Sequence, residues 1–197
     1  MNQSMQKSIG RDLLSKLEIL DPQVVIAGGA PRDWYLGKDA TDIDFYLSYP
    51  NLSVLGNKKI ISRVLNIEED LIEIKGFVDP EDPKDPDFEY QCSYIQAVYE
   101  LVYKGIKVQI INTYEKINVM DFSFSICQAW TSDCIEINGT ADFYDSIKHK
   151  MVFRTGSMLN NETYTKKMMD KFPDFLFLEE KPKQINLGTK APKLRIL

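Results

Sequence analysis

The part of the sequence with the clearest chemistry begins after a short apolar run at residues 24–27. Gly28 and Gly29 follow this predicted strand directly, and Arg32 and Asp33 lie in the short helix predicted after them. Two adjacent glycines let bare backbone amides approach an anion at the start of a helix, where the helix dipole also favours negative charge. Arg32 can hold a phosphate through two hydrogen bonds, and Asp33 can orient Arg32 or cap neighbouring amides. The pattern therefore predicts a phosphate-binding turn.

Asp42 and Asp44 lie in a segment, residues 42–47, where polar and apolar residues alternate. Because successive side chains of a strand point to opposite faces, both carboxylates project from the same face. Carboxylate and phosphate oxygens are the ligands that Mg²⁺ prefers, so the pair predicts a metal site that lowers the pKa of an attacking hydroxyl and stabilises charge on a leaving group. Each feature also has a plainer interpretation, since a Gly-Gly pair is commonly only a turn and an Asp-x-Asp pair is commonly a solvated strand face.

The elements that must position these residues are a mixture of helices and strands. An amphipathic helix is predicted over residues 8–20, and Lys104-Gly105 has the spacing of a two-residue hairpin turn. Such a mixture predicts an α+β (mixed α/β) class, with a twisted mixed sheet flanked by helices and a short helical C-terminal part. The remaining helices are expected at 30–36, 54–65 and 161–172, and the strands at 24–27, 42–47, 71–77, 94–103 and 106–112.

The composition is that of an ordinary globular protein, with 197 residues, 44% hydrophobic and 27% charged, and it predicts one domain or a domain with an appendage. No apolar run is long enough to cross a membrane and the N-terminus lacks the pattern of a signal peptide, so a cytoplasmic protein is expected. Cys92, Cys127 and Cys134 have no metal-ligand spacing and are expected to be reduced and at least partly buried. Cys127 is expected in the core.

Charge is distributed unevenly along the chain, whose net charge is −5. Residues 68–89 contain ten acidic side chains against two lysines, and the proline-rich part at 79–90 predicts an exposed insertion. Residues 181–197 form a basic tail, either a solvated terminus or a phosphate-contacting segment. The net charge argues against broad binding to nucleic acid but leaves a local basic groove open. Lys166, Lys167 and Lys171 are expected on the charged outer face of the last helix, with an RNA or protein acceptor as the alternative contact.

The order of the motifs resembles a known family. A strand, Gly-Gly-x-x-Arg-Asp, a short helix ending in Leu-Gly, a polar loop and a strand opening Asp-x-Asp-Phe are similar to the head domain of the polymerase-β-like nucleotidyltransferase superfamily, in particular the tRNA CCA-adding enzymes and bacterial poly(A) polymerases. The resemblance covers residues 24–47 well, and residues 119–127 and 142–154 loosely. It implies a nucleotidyltransferase-type head domain at 1–155, followed by a C-terminal helix and basic tail at 156–197.

By this resemblance, Gly28, Gly29 and Arg32 contact the triphosphate of a nucleoside triphosphate, while Asp42 and Asp44 hold Mg²⁺ or Mn²⁺. The implied reaction is attack of an acceptor hydroxyl on the α-phosphate with release of pyrophosphate. The acceptor is expected to be the 3′ end of an RNA such as tRNA, or a protein side chain.

Two departures from the family pattern stand out. Gln109 occupies the position where a third acidic residue is expected on a later strand, and an amide can ligate Mg²⁺ through oxygen but cannot act as a base. Glu115 lies close by but past the expected end of that strand. Few residues follow Arg154 and no Glu-Asp-x-x-Arg base-selecting motif is present, so CCA addition itself is not expected. The chain resembles instead a stand-alone head of the kind met in bacteriophage genomes.

These observations leave three hypotheses. The leading one is a Mg²⁺-dependent nucleotidyltransferase, favoured by Asp42, Asp44, Arg32 and the double glycine. The second is a catalytically impaired protein of the same fold that binds nucleotide or a partner without turnover, favoured by Gln109. The third is an interaction protein whose acidic loop mimics nucleic acid.

Overall fold

The structure is a computed structural model that describes residues 1–49, 53–77, 95–155 and 162–182. The predicted insertion at 79–90, Cys92 and nearly all of the predicted basic tail lie outside these residues. Within them the chain forms a seven-stranded sheet with helices packed on it, which confirms the expected α+β class. None of the helices in these ranges combines the length and apolar character that crossing a membrane requires.

The sheet contains strands from most of the described chain. In chain order they are β1 (Val25–Ala27), β2 (Asp42–Leu47), β3 (Glu73–Phe77), β4 (Ile95–Tyr103), β5 (Ile106–Thr113), β6 (Ala129–Thr131) and β7 (Asn138–Gly139). Their spatial order is β3-β4-β5-β2-β1-β6-β7. Neighbours are antiparallel except β2 and β5, which run parallel. The predicted hairpin is confirmed, and Lys104 and Gly105 both have the positive φ that such a turn requires, at 50° and 84°.

Five α-helices lie in the described ranges: α1 (Gln3–Leu17), α2 (Gly29–Tyr35), α3 (Val54–Leu65), α4 (Ala141–His149) and α5 (Glu162–Lys171). Helix α1 begins five residues before the predicted start at Ser8, because the side chain of Asn2 caps it by accepting a hydrogen bond from the Met5 amide at 3.0 Å. The hydroxyl of Ser53 caps α3 in the same way, through the Gly56 amide at 3.1 Å. The two caps fix the starts of the helices that cover one face of the sheet.

Alternation along the strands divides the sheet into two faces. Ile43, Phe45 and Leu47 of β2 are buried in a cluster with α1 and α3, together with the inward residues of β4 and β5. The other face of β2 therefore presents Asp42 and Asp44, away from this core. Burial of the apolar residues of β2 against α1 and α3 thus determines that the two aspartates lie on the opposite face of the sheet.

The C-terminal part of the described chain packs onto the head. Two further strands, β8 (Met151–Phe153) and β9 (Leu176–Leu178), pair in parallel as a separate two-stranded sheet. Met168 of α5 and Phe172, which directly follows α5, are buried in a second cluster with Ala27, at the end of β1. Helix α5 is therefore held directly beside the glycine turn, and the predicted division between residues 1–155 and 156–197 stays a prediction.

Candidate active site

The predicted glycine turn connects β1 to α2. Gly28 has φ of 84°, in the left-handed region that favours glycine, and its amide donates to the carbonyl oxygen of Ala129 on β6 at 2.8 Å. A Cβ placed on Gly29 would meet only Nη2 of Arg32, at 3.7 Å. The backbone at Gly29 is thus bare of side-chain cover, as a phosphate-binding turn requires. Because α2 has only seven residues, bare backbone groups rather than a long helix dipole are what this turn can offer an anion.

Asp42 and Asp44 lie on the same face of β2, as the alternation predicts. Asp42 accepts a hydrogen bond from the hydroxyl of Thr41 at 3.1 Å. Oδ1 of Asp44 is buried and has no hydrogen-bond partner, although the side chain as a whole is only half-buried. A buried carboxylate oxygen without a donor is unfavourable unless a proton or a cation accompanies it.

The surroundings of Asp44 disfavour the ionised form of its carboxyl group. Burial raises its pKa, and the neighbouring charge of Asp42 raises it further, to about 7. The positive charges of Lys107, Arg32 and Lys167 act in the opposite direction without cancelling the effect. Near neutral pH, therefore, Asp44 shares its site with a proton unless another cation replaces that proton.

Gln109 lies directly beside Asp44, because β2 and β5 pair in parallel with these two residues as partners. It is 7% exposed, and its Nε2 donates to Oε2 of Glu100 on β4 at 2.8 Å. Glu115 is exposed and lies beyond the end of β5. Within residues 1–49, 53–77, 95–155 and 162–182, no three His, Cys, Asp or Glu side chains are grouped so that they could hold a metal ion. The side-chain oxygens that could ligate a metal at this site are thus those of the Asp42 and Asp44 carboxylates and of the neighbouring Gln109 amide.

Arg32 is buried, with 3% of its surface exposed. Its Nε donates to Oδ1 of Asp33 at 2.9 Å, and its Nη1 lies 3.3 Å from Sγ of Cys127. The third nitrogen, Nη2, is the one beside Gly29. Asp33 thus orients Arg32, and the guanidinium offers the turn one nitrogen rather than two. The contact of Arg32 with phosphate stays a prediction.

Helix α5 covers this arginine. Nζ of Lys171 donates to Oδ2 of Asp33 at 2.7 Å, and the ring of Phe172 lies 5.1 Å from the guanidinium carbon. The hydroxyl of Tyr164 lies 3.6 Å from Sγ of Cys127. The expectation that Lys171 lies on a solvated outer face is therefore wrong, because the buried charge of Asp33 draws its ammonium group inward. Lys166 and Lys167 are exposed, as expected.

Three residues at the site were not expected from the sequence. Glu100 and Lys107 lie on the site face of β4 and β5, and their side chains are paired at 2.7 Å. The predicted hairpin turn contained this information, because counting back equally from Lys104-Gly105 pairs Glu100 with Gln109. No local pattern indicated that Cys127, expected only as a core residue, contacts Arg32.

Similarity to solved structures was found, although no family model matches the chain and no curated protein matches it. The CCA-adding enzyme of Thermotoga maritima complexed with tRNA is 17% identical, with a TM-score of 0.48, over 87% of this chain and 39% of that one. The CCA-adding enzyme of Bacillus stearothermophilus in complex with CTP is 16% identical, with a TM-score of 0.46, over 79% of this chain and 34% of that one.

A tRNA-processing enzyme in an apo form is also 16% identical, with a TM-score of 0.46, over 75% of this chain and 36% of that one. The chain thus spans between a third and two fifths of the length of each of these three structures. They are of the kind that the sequence pattern resembles.

Proposed function

We propose that this chain is a Mg²⁺-dependent nucleotidyltransferase that transfers a nucleoside monophosphate from a nucleoside triphosphate to an acceptor hydroxyl. The proposed acceptor is the 3′ end of an RNA such as tRNA, with a protein side chain as the alternative. Cytoplasmic location and a bacteriophage-type origin are part of the same proposal and rest on the sequence pattern alone.

The observation that carries the proposal is the buried Oδ1 of Asp44, which lacks a hydrogen-bond partner beside a second carboxylate, Asp42. A site built only for structural stability would supply a donor to such an oxygen. A hard divalent cation supplies what is missing, since it satisfies the buried oxygen and neutralises both charges. The residues present therefore fit Mg²⁺, with Asp42, Asp44 and Oε1 of Gln109 as the protein ligands.

Each residue of the site has a separate role in the proposed reaction. Bound at this site, Mg²⁺ supplies charge neutralisation at the phosphates and a lowered pKa for the attacking hydroxyl. Gly29 presents bare backbone to the triphosphate, and Nη2 of Arg32 adds positive charge at the same turn. Gly28 shapes the turn through its positive φ, because its amide is already bonded to Ala129. Asp33 keeps Arg32 in place. Burial of Asp44 and Gln109 lowers the local dielectric, which strengthens each of these interactions.

The test is transfer of label from each α-labelled nucleoside triphosphate, with Mg²⁺ or Mn²⁺, into total cellular RNA and protein. The wild type is compared with Asp42→Ala/Asp44→Ala and with a control, Glu69→Ala/Asp70→Ala, which removes the same charge from a turn outside the site. We expect the wild type and the control to transfer label and the site variant to transfer none. Equal transfer by all three proteins would exclude this site as the origin of the activity.

A second function is favoured by Gln109, whose amide replaces a carboxylate and cannot accept a proton. On this alternative the chain binds nucleoside triphosphate without turnover. Binding of the nucleotide by the wild type, lost in Asp42→Ala/Asp44→Ala, together with no movement of label into RNA or protein, would support it over the transferase.

A further inference from the structure

Three polar side chains form a row across the site face of the sheet. Asp44 on β2 pairs with Gln109 on β5, and Gln109 pairs with Glu100 on β4. Residues directly opposite each other on neighbouring strands share a face, so Gln109 lies between the two carboxylates. Its amide can therefore turn its nitrogen to one side and its oxygen to the other.

The hydrogen bond from Gln109 decides which way the amide turns. Nε2 of Gln109 donates to Oε2 of Glu100 at 2.8 Å, and the same oxygen accepts from Nζ of Lys107 at 2.7 Å. Because the amide is planar, Oε1 is then directed away from Glu100, toward the strand that carries Asp44. The reversed amide would place two oxygens against each other with no proton between them.

Glu100 is placed as a carboxylate between two cations. Its Oε2 lies 2.7 Å from Nζ of Lys107, and its Oε1 lies 3.6 Å from Nζ of Lys75. A carboxylate with no proton can only accept hydrogen bonds, so Gln109 has to present its nitrogen. The bond is also charge-assisted, and such bonds are stronger than those between neutral groups.

We propose that Glu100 is a positioning residue, which holds the Gln109 amide so that Oε1 serves as the third protein oxygen for the cation held by Asp42 and Asp44. The inference rests on the metal site of the proposed function. It accounts for a glutamine at this position, because Glu100 gives a neutral amide the fixed orientation that a carboxylate does not need. Metal ligands commonly depend on such outer contacts, whose loss weakens metal binding by about 10- to 100-fold.

The test measures binding of Mn²⁺ alone to the full chain without nucleotide, from the electron paramagnetic resonance signal of free Mn²⁺. In Glu100→Gln the new amide can donate to Gln109 and turn Oε1 away from the metal, so we expect binding about 10-fold weaker than in the wild type. Glu73→Gln is the matched control. Glu73 is the next residue in the same row and bonds to Lys75, which also lies 3.6 Å from Oε1 of Glu100. This change therefore removes an identical charge beside Glu100 and leaves the hydrogen bond between Glu100 and Gln109 in place. We expect it to bind Mn²⁺ like the wild type.

The exchange variant Glu100→Gln/Gln109→Glu separates positioning from a merely structural role. Its hydrogen bond runs in the opposite direction, and a carboxylate at position 109 presents oxygen on both edges. We expect Mn²⁺ affinity equal to or above that of the wild type. A structural contact alone would instead change the urea midpoint of Glu100→Gln and leave Mn²⁺ affinity unaltered.

The outcomes that would overturn the inference are distinct from failure of the proposed function. Wild-type affinity in Glu100→Gln, or equal weakening by Glu73→Gln, would overturn the positioning role while leaving the metal site intact. Equal Mn²⁺ binding by the wild type and by Asp42→Asn/Asp44→Asn would overturn the metal site and the positioning role together.

Discussion

Replacing Asp44 by asparagine tests whether the site is built for a cation, because the change removes the charge and keeps the shape. Burial of the Asp44 carboxyl and the adjacent charge of Asp42 raise the pKa of Asp44 from 3.8 to about 7. A folded-state pKa above the unfolded value means that the folded protein holds this proton more tightly. The associated stability is fully present below about pH 4 and is lost as pH rises through about 7.

The size of the effect follows from the shift. Each pKa unit corresponds to about 1.4 kcal/mol, so a shift of about three units gives about 4 kcal/mol between the two ends of this pH range. The figure is an upper limit, because the side chain as a whole is only half-buried and solvent screens part of the effect. Asparagine does not titrate and escapes this loss. Any other effect of the new amide is the same at both ends of the range and cancels in the comparison.

The assay is urea unfolding with a chelator at pH 4.5 and at pH 8, followed by circular dichroism. We expect Asp44→Asn to gain up to about 3 kcal/mol on the wild type at pH 8 relative to pH 4.5, because pH 4.5 already lies above the unfolded pKa of 3.8. Mg²⁺ at pH 8 is expected to stabilise the wild type and not the variant. Asp42→Asn serves as a control, with a smaller gain, since burial of Asp44 remains. Parallel pH dependence of wild type and Asp44→Asn would refute the assignment of the shift to this group.

Two further predictions concern the glycine turn and the helix that covers Arg32. Gly28→Ala places a side chain at φ of 84° and should lower the free energy of unfolding by about 1–2 kcal/mol, whereas Gly29→Ala should leave the urea midpoint unchanged and weaken nucleotide binding measured by calorimetry. A larger loss of stability in Gly29→Ala than in Gly28→Ala would show that Gly29 has a structural role. Asp33→Ala leaves the buried charge of Arg32 uncompensated and should cost about 3–5 kcal/mol in urea unfolding, while Lys171→Ala, at a partly exposed position, should cost about 1 kcal/mol or less. Equal losses would show that Asp33 depends on Lys171 rather than on Arg32.

Much of the fold could be predicted from the sequence, because alternation along a strand and the residues of a tight turn are local patterns that span only a few residues. Alternation along residues 42–47 places Asp42 and Asp44 on one face, and Lys104-Gly105 fixes the register of the longest hairpin. The same register determines that Glu100 lies beside Gln109, although only the structure shows the hydrogen bond between them.

The contacts around Arg32 could not be predicted from local sequence patterns. They depend on Cys127 and on α5, more than 90 residues further along the chain, and no periodicity within a segment specifies such contacts. The inward turn of Lys171 is part of the same packing. A lysine on a polar helix indicates a solvated face unless a buried carboxylate such as Asp33 is known to lie opposite it.

These contacts bear on how the turn would bind phosphate. Nε of Arg32 is bonded to Asp33 and Nη1 lies against Cys127, so Nη2 alone is directed to Gly29. A two-bond grip on phosphate would require the guanidinium to leave Asp33 or Cys127. Since the guanidinium also contacts Sδ of Met168 at 3.8 Å and lies over the ring of Phe172, such a movement would break its packing against α5 and the residue that follows it. A single contact through Nη2, with Asp33 and α5 left in place, therefore costs less energy and is the mode that this packing favours.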